Sequence, residues 1–455
     1  MLSQGMMKKS LRVFFVYGLN FMGLIFGGLA LLVLAFCMPV DRIDSNVRAS
    51  AEYFQRGPYP SIYSWCTSRL DLFTDGLKLL EASNDSEGNA FEKAMSVNHG
   101  VVKHYTPDST LFLHYQKGID FTEVADYPRY WHGFLIVLKP ALYFLTYARL
   151  LFLNAFAQII LCFLICFLMF RRGLTRYIIP YLITYLMLMP EALTKCLQFS
   201  TCYYLFSLSI VFLLVVPEWF KCKYIGLIFF YIGSLTSYFD FLTYPLVTLG
   251  LPAIFVVAMQ ENQMKTIQLM KIVFTWILGY VAMWSAKWVV ASIYLEKNVI
   301  ADALDKIILR TSDSSTISTT NFTIFQSLFE NYRTFAFTPA TLFVLLFVLI
   351  LAFLFICRIK SISRASCKIL VPYLLITVLP VLWLSVILNH SCVHVFFTNK
   401  ICSISVMAFL FGVVDLYTCK KNQESHLSRR MTPIFAHSLC AETLVRCSMA
   451  LRFWW

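Results

Sequence analysis

Runs of about 20 apolar residues recur along this chain and constrain its fold more than any other feature. A helix needs about 20 mostly apolar residues to cross the hydrocarbon core of a bilayer. Hydrophobic residues make up 59% of the 455 residues and charged residues only 14%, against roughly 25% charged in soluble globular chains. This composition excludes a soluble enzyme and a disordered chain. The sequence therefore predicts an all-α polytopic membrane protein.

Ten runs are interpreted as transmembrane helices. The first follows a basic segment at 8–12, is too long for a signal-peptide core and has no small-residue cleavage site after it, so we expect it to be retained. Asp240 and Pro245 interrupt the stretch 224–259, which leaves eight or twelve spans as alternatives to about ten. The predicted spans are 13–37, 148–170, 177–193, 202–217, 224–238, 244–259, 272–295, 335–357, 369–388 and 401–418.

The basic residues give these spans an orientation. Lys and Arg of the short connections gather on one side when the N-terminus is placed in the cytoplasm, as the positive-inside rule requires. The net charge of +13 therefore reflects the basic residues of the predicted cytoplasmic connections, and nucleic acid is not expected as a partner. Both termini are predicted to be cytoplasmic, in a plasma membrane. The predicted divisions are 1–37 (N-terminus and first helix), 38–147 (outer loop with an interfacial helix), 148–295 (helices two to seven), 296–333 (second outer loop), 334–418 (helices eight to ten) and 419–455 (cytoplasmic tail).

The interfacial helix is predicted at 133–147, which is apolar but short and contains Lys139 and Pro140. Counting it as a span would place the pair Arg171 and Arg172 outside. An amphipathic helix at the outer interface, with Lys139 extending to the surface, avoids that cost. The long outer loop before it is acidic on balance.

Paired carboxylates in this outer loop are the candidate catalytic groups. Asp71 and Asp75 are spaced i, i+4 among leucines and a phenylalanine, which favours a packed helix with both groups on one face. Two nearby carboxylates can divide into a base and an acid, or hold a divalent cation on a diphosphate. The alternative is a solvated helix face. Asp41 and Asp44, directly after the first span, are the second candidate pair.

Side chains that could hold a substrate lie at the outer edges of the predicted spans. Lys287 lies within an apolar span and is a functional candidate unless it snorkels to the surface. His390 and His394 share a helix face, but no third ligand is identifiable and no metal site is predicted. The predicted substrate-binding residues are Arg129, Trp131, His132, Glu191, Lys195, Asp240, Lys287, His390 and His394.

The order of these features over about residues 1–300 resembles the C-type superfamily of membrane glycosyltransferases. The stretch Tyr130-Trp131-His132-Gly133 and the later Asn389-His390-Ser391 with His394 are similar to bacterial members of uncharacterised families associated with cell-surface polysaccharide synthesis. The resemblance implies transfer of a sugar from a polyprenyl-phosphate carrier to an acceptor on the outer side of a bacterial inner membrane. It also implies a first-loop carboxylate as general base or metal ligand. The residue implied to hold the departing lipid phosphate is Arg129, His132, Lys287 or His394.

The chain departs from that family in one respect, because its first outer loop has no Asp-x-Asp or Glu-x-Asp pair. A divalent cation as cofactor and the identity of the base are therefore left open. The sequence has no Walker, Gly-x-Ser-x-Gly, zincin or Rossmann motif, which argues against ATP-driven chemistry. Two other classes remain: a carrier of lipid-linked or small polar solutes, and a non-catalytic envelope scaffold. No internal repeat of the kind found in transporters is apparent.

Overall fold

A computed structural model describes residues 2–260, 266–314, 321–337 and 364–418. Within them the protein is built almost entirely of α-helices, with one two-stranded sheet. The predicted span at 335–357 and the predicted tail at 419–455 lie almost wholly or wholly outside the described residues. The all-α prediction is confirmed.

Six helices of the described residues are long and apolar enough to cross a membrane. The expectation of about ten spans is therefore confirmed only in part. They are α1 (Leu2–Phe36, apolar over Phe15–Phe36), α7 (Tyr147–Arg171), α10 (Leu197–Val215), α13 (Thr266–Leu295), α16 (Arg364–Val386, apolar over Lys368–Val386) and α18 (Val395–Thr418, with a 3₁₀ turn at Asn399–Cys402).

Three further predicted spans are helical but shorter or more polar. Helix α8 (Ile178–Met187) ends before Met189, whose left-handed backbone (φ 59°) leads into the short α9 (Pro190–Thr194). Helix α12 (Val247–Met259) has 13 residues, which span only about 20 Å. Helix α11 (Glu218–Phe239) begins with a charged turn. These three helices differ from the predicted spans because of local backbone breaks and charges. A hydropathy average over a window of residues does not detect such features.

The segment between α1 and α7, called the outer segment after its predicted side of the membrane, folds into a set of short elements. Helix α3 (Leu72–Ser83) lies at its centre and is buried over most of its length, which confirms the packed helix expected around Asp75. Strands β1 (His99–Val101) and β2 (Glu123–Ala125) pair antiparallel beside it. The other α-helices of this segment are α2 (Asp41–Arg48), α4 (Ala90–Ser96), α5 (Pro107–Lys117) and α6 (Leu135–Phe144). Three more short helices lie later in the chain, α14 (Val299–Thr311), α15 (Ile324–Ala336) and α17 (Leu388–Val393).

Helix α6 corresponds to the predicted interfacial helix, with Val137 and Phe144 exposed on its outer face. The expected snorkelling of Lys139 is wrong, because its side chain is 1% exposed. Its ammonium donates a hydrogen bond to the carbonyl of Ala82 (2.8 Å), in the last turn of α3. Packing of α6 against the outer segment thus removes the lysine from the surface.

Helices α11 and α13 pack closely through two glycines. A Cβ on Gly233 would lie 2.1 Å from the carbonyl oxygen of Trp276, and one on Gly279 would lie 2.1 Å from that of Phe230. The Ser234 hydroxyl donates to the carbonyl of Gly279 (3.2 Å). Small residues that let backbones approach are a usual basis of helix association in membranes. This contact connects α13 to the rest of the bundle.

We expect Gly233→Ala to destabilise the protein by about 1–3 kcal/mol, because the added methyl forces the two backbones apart. Gly23→Ala in α1 is the matched control, since a Cβ there meets no atom within 4 Å. Thermal unfolding of the purified variants in detergent measures the difference. Equal melting temperatures for both variants would contradict the close approach.

Candidate functional site

Five lysine side chains are buried among the described residues, and four of them have oxygen partners. Lys287 donates to the carbonyls of Ala94 (3.0 Å) and Met95 (3.1 Å), at the end of α4. Partial negative charge collects at helix C-termini, so the lysine fixes α4 on α13. Lys139 makes the same kind of contact with the carbonyl of Ala82, and Lys400 with the carbonyls of Leu188 and Thr67. Lys221 pairs instead with the side-chain carboxylate of Glu218.

The fifth, Lys78 on α3, differs from the other four. Its side chain is 1% exposed, and it takes part in no ion pair of the described residues. The ammonium lies 4.5 Å from the centre of the Phe134 ring and 5.9 Å from that of Phe241. A buried cation is costly unless it is paired. Among the described residues, no carboxylate lies close enough to form an ion pair with the Lys78 ammonium, so its positive charge is available to a ligand.

This ammonium lies in the wall of a cavity of about 500 Å³ between α6, α7 and α10. The walls are mainly aliphatic, and Val137 and Leu208 are more than half exposed and Leu153 nearly so, so the cavity opens sideways between the helices. Four polar side chains join Lys78 in the lining. They are Asn154, Ser200, Thr201 and Tyr204.

Asp75 lies three residues before Lys78 and is wholly buried. Its carboxylate accepts hydrogen bonds from the Tyr147 hydroxyl (2.6 Å) and from the backbone N–H groups of Leu197 and Gln198 (2.8 Å each). Those two N–H groups are the unpaired donors at the start of α10. Burial raises the pKa of Asp75, and Lys78 and these hydrogen bonds oppose that shift. Asp75 therefore caps the N-terminus of α10.

Asp71 precedes the first residue of α3 and caps that helix. Its two carboxylate oxygens accept from the backbone N–H (2.9 Å) and the hydroxyl (2.8 Å) of Thr74. The side chain is 4% exposed, and burial raises its pKa to about 7, although the Thr74 hydrogen bonds act in the opposite direction. A carboxyl group with a pKa near neutrality can both accept and return a proton at physiological pH.

Two further predicted residues lie around the same helix. The Asp240 carboxylate accepts from the backbone N–H (2.8 Å) and the hydroxyl of Thr243, in the turn before α12. His132 pairs through Nδ1 with Glu81 of α3 (3.1 Å) and through Nε2 with the Tyr127 carbonyl (2.7 Å). Lys78 is close enough to interact electrostatically with Asp240 as well as with the aspartates of α3. These residues form one polar neighbourhood around α3.

Trp131 and Arg129 hold the chain before α6 against α13 and α14. The Trp131 indole donates to the carbonyl of Met283 (2.6 Å), and Trp284 donates to the carbonyl of Arg129 (2.9 Å). The Arg129 guanidinium pairs with Asp302 of α14 (2.8 Å) and stacks over Tyr127. Both side chains have protein partners and are absent from the cavity lining.

His390 and His394 form a second group, away from the cavity lining. His394 Nε2 lies 3.0 Å from Arg310 of α14, and His390 Nε2 lies 2.8 Å from the carbonyl of Leu242. Burial, with a contribution from Arg310, lowers the pKa of His394 to about 3, so the imidazole is neutral and accepts from the guanidinium. The structure thus makes Arg310, which the sequence did not single out, the charged group of this cluster.

The remaining predicted residues are dispersed. Glu191 accepts from the Tyr63 hydroxyl (2.6 Å) at an exposed edge, and Lys195 is exposed. Asp44 accepts from the Tyr115 hydroxyl (2.6 Å), whereas Asp41 faces a separate small cavity beside α1. Within the described residues no group of three or more His, Cys, Asp or Glu side chains could hold a metal ion.

The structure therefore brings Asp71, Asp75, His132 and Asp240 together around α3 and leaves the other predicted residues outside this neighbourhood. Sequence reasoning missed Lys78, although a signal was present. It lies three residues after Asp75 and seven after Asp71, which places all three on the same side of a helix.

The fold and this site define a polytopic α-helical membrane protein with a laterally open apolar cavity and one buried cation in its wall. Comparison of the chain with protein-family models, curated proteins and solved structures gives no match.

Proposed function

We propose that this protein is an integral membrane glycosyltransferase that moves a sugar from a polyprenyl-phosphate carrier to a cell-surface acceptor. The observation that carries the proposal is the Lys78 ammonium in the wall of an apolar cavity that opens sideways. Such a cavity suits a long hydrocarbon chain, and a buried ammonium suits the phosphate at its end. We further propose a plasma membrane, specifically a bacterial inner membrane, with both termini cytoplasmic and the outer segment on the far side.

The proposed reaction is a displacement at the anomeric carbon of the donor sugar. The acceptor hydroxyl gives its proton to a carboxylate, its oxygen bonds to the anomeric carbon, and the bond from that carbon to the phosphate oxygen breaks. The departing polyprenyl phosphate gains one negative charge. Lys78 stabilises this charge, and does so strongly because its surroundings exclude water.

Asp71 is the carboxylate we propose as base. Asp75 is committed to the start of α10 by three hydrogen bonds, whereas both partners of Asp71 belong to Thr74 alone. Asp71 lies two helical turns from Lys78, about 10 Å along α3, a separation that a sugar ring and a phosphate together can span.

This assignment predicts a pH dependence. Because the carboxylate form is the active one, we expect the transfer rate to rise with pH and to level off above a midpoint near the Asp71 pKa of about 7. The stability of the fold has the opposite pH dependence. The pKa of Asp71 is higher in the folded protein than its ordinary value of 3.8, so the folded protein holds the proton more tightly than the unfolded chain does. This contribution to stability therefore falls from about pH 4 to pH 7. Unfolding of wild type and Asp71→Asn across this range measures it, and parallel curves would contradict the assignment.

Turnover by the purified protein tests the function itself. The full chain in lipid nanodiscs is given a short-chain polyprenyl-phosphate sugar and a mixture of cell-surface glycan acceptors, and release of polyprenyl phosphate is measured. Release that needs both acceptor and Lys78 supports the proposal. Movement of intact donor across sealed vesicles without any bond cleavage would instead identify a carrier.

A further inference from the structure

A second cavity lies at the outer end of the first span. It has a volume of about 240 Å³ and is lined mainly by polar groups, unlike the large apolar cavity. It sits where α1 ends and α2 begins, against the end of α3, the start of α4 and the middle of α6. Its lining residues are Phe36, Met38, Pro39, Val40, Asp41, Asn84, Asp85, Lys93 and Lys139.

Two ammonium groups face this cavity. Lys139 is buried and gives one hydrogen bond to the carbonyl of Ala82 (2.8 Å), which leaves two of its N–H groups for a ligand. Lys93 is paired with Asp85 (3.1 Å) at the rim, where the aspartate is largely exposed. Burial, with a contribution from Lys93, lowers the pKa of Lys139 to about 8. Asp85 opposes this shift. Lys139 itself has no carboxylate partner among the described residues and Lys93 has only an exposed one, so an anion in the cavity would stabilise both ammonium groups.

Asp41 supplies the opposite charge. It lies in the first turn of α2, it is exposed, and it takes part in no ion pair of the described residues. Its carboxylate is therefore free to accept hydrogen bonds from an ammonium. Lys93 and Lys139 thus share the cavity with two carboxylates, Asp85, which pairs with Lys93, and Asp41, which has no ion pair among the described residues. This charge pattern fits a zwitterion whose anion and amine are a few bonds apart.

The position of the cavity at the end of α1 indicates a source for such a ligand. The apolar part of α1, Phe15–Phe36, ends at the cavity, and only 11% of its most apolar window is buried inside the protein. Hydrocarbon chains can therefore run along α1 directly below the cavity. The polar head of a lipid in that leaflet would then lie at the level of Asp41.

We infer that this cavity binds the phosphoethanolamine head group of a phospholipid, with the phosphate on Lys93 and Lys139 and the amine on Asp41. Asp41, which the sequence suggested as a catalytic carboxylate, is then a lipid ligand. The inference does not depend on the proposed transferase function, because it rests on a different cavity. A bound lipid at this point joins α1 to the outer helices α2 and α4.

Titration of the delipidated full-length protein in detergent tests the inference. Short-chain phosphatidylethanolamine, phosphatidylcholine, phosphatidylglycerol and free phosphoethanolamine are the probes, and binding is followed by calorimetry. We expect phosphatidylethanolamine to bind at least tenfold more tightly than the other two lipids. The N-methyl groups of phosphatidylcholine remove the N–H donors for Asp41, and phosphatidylglycerol has no amine at all.

Asp41→Asn and Lys93→Gln should each weaken phosphatidylethanolamine binding about tenfold, the value of one charge-assisted hydrogen bond of roughly 1.4 kcal/mol. Asp120→Asn, an exposed change in the loop before β2, is the control and should bind like wild type. Lys139→Met is less suitable, because it also removes the contact with α3. Unchanged affinity in both test variants, or equal binding of the three lipids, would overturn the inference. Free phosphoethanolamine binding as tightly as the lipid would overturn the lipid assignment.

Discussion

Lys78→Met is expected to weaken binding of a polyprenyl phosphate by about 10- to 100-fold, because a charge-assisted hydrogen bond to phosphate contributes roughly 1.5–3 kcal/mol. Methionine keeps the length and apolar stem of the side chain and removes only the ammonium. The variant should still fold, since Lys78 has no ion-pair partner among the described residues and sits against the Phe134 ring. Quenching of intrinsic fluorescence on titration with short-chain polyprenyl phosphate measures the affinity.

Two variants control this experiment. Lys78→Arg keeps the charge and should retain most of the affinity, whereas Lys103→Met removes an exposed lysine of the same outer segment and should have no effect. A neutral polyprenol, which has the hydrocarbon chain without the phosphate, should bind Lys78→Met and wild type equally. If Lys78→Met bound the phosphate as tightly as wild type does, the cation would have no part in recognising the lipid and the proposed function would lose its main support.

Asp75→Asn is expected to lower the free energy of unfolding by about 2–4 kcal/mol. The carboxylate accepts three hydrogen bonds from buried donors, and an amide offers one oxygen while turning its NH₂ group toward an N–H of α10. The negative charge at the start of α10 is lost as well. Thermal unfolding in detergent, together with the yield of monodisperse protein, measures the effect.

Asp71→Asn provides the contrast, because asparagine is as good a helix cap as aspartate and can keep both contacts with Thr74. We expect this variant to fold like wild type and to lose transfer activity. Activity of Asp75→Asn should fall only in proportion to the folded protein lost. A fully stable but inactive Asp75→Asn would instead restore the catalytic role that the sequence suggested for it.

The packed helix around Asp75 could be predicted because its signal is local. Leu72, Leu79 and Leu80 lie among the polar residues at helical spacing, and the structure buries all three. What Asp75 does there could not be predicted, because its partners are Tyr147 and the start of α10, more than 70 residues away. A carboxylate that caps a distant helix has the same sequence pattern as one that serves as a base.

Lys78 escaped prediction for a related reason. Charges stand out in a sequence when they interrupt an apolar span, as Lys287 does, and Lys78 lies in a hydrophilic segment instead. Tertiary packing of α3 against α6 buries it, while Lys287 finds carbonyl partners at the end of α4. The ends of the shorter helices could not be predicted either, because a left-handed backbone such as that at Met189 does not change the hydropathy of the sequence.

The lysine contacts at helix ends also set the order in which the chain can complete its fold. The outer segment is made early, yet the ammonium that reaches Thr67 belongs to Lys400, 333 residues later in the chain. Contacts of such high sequence separation form late and slow folding. During synthesis the short helices of the outer segment must therefore remain partly assembled until Lys400 has been added. We expect a ribosome that stalls before residue 400 to leave these helices open to proteolysis, so that incomplete chains are degraded.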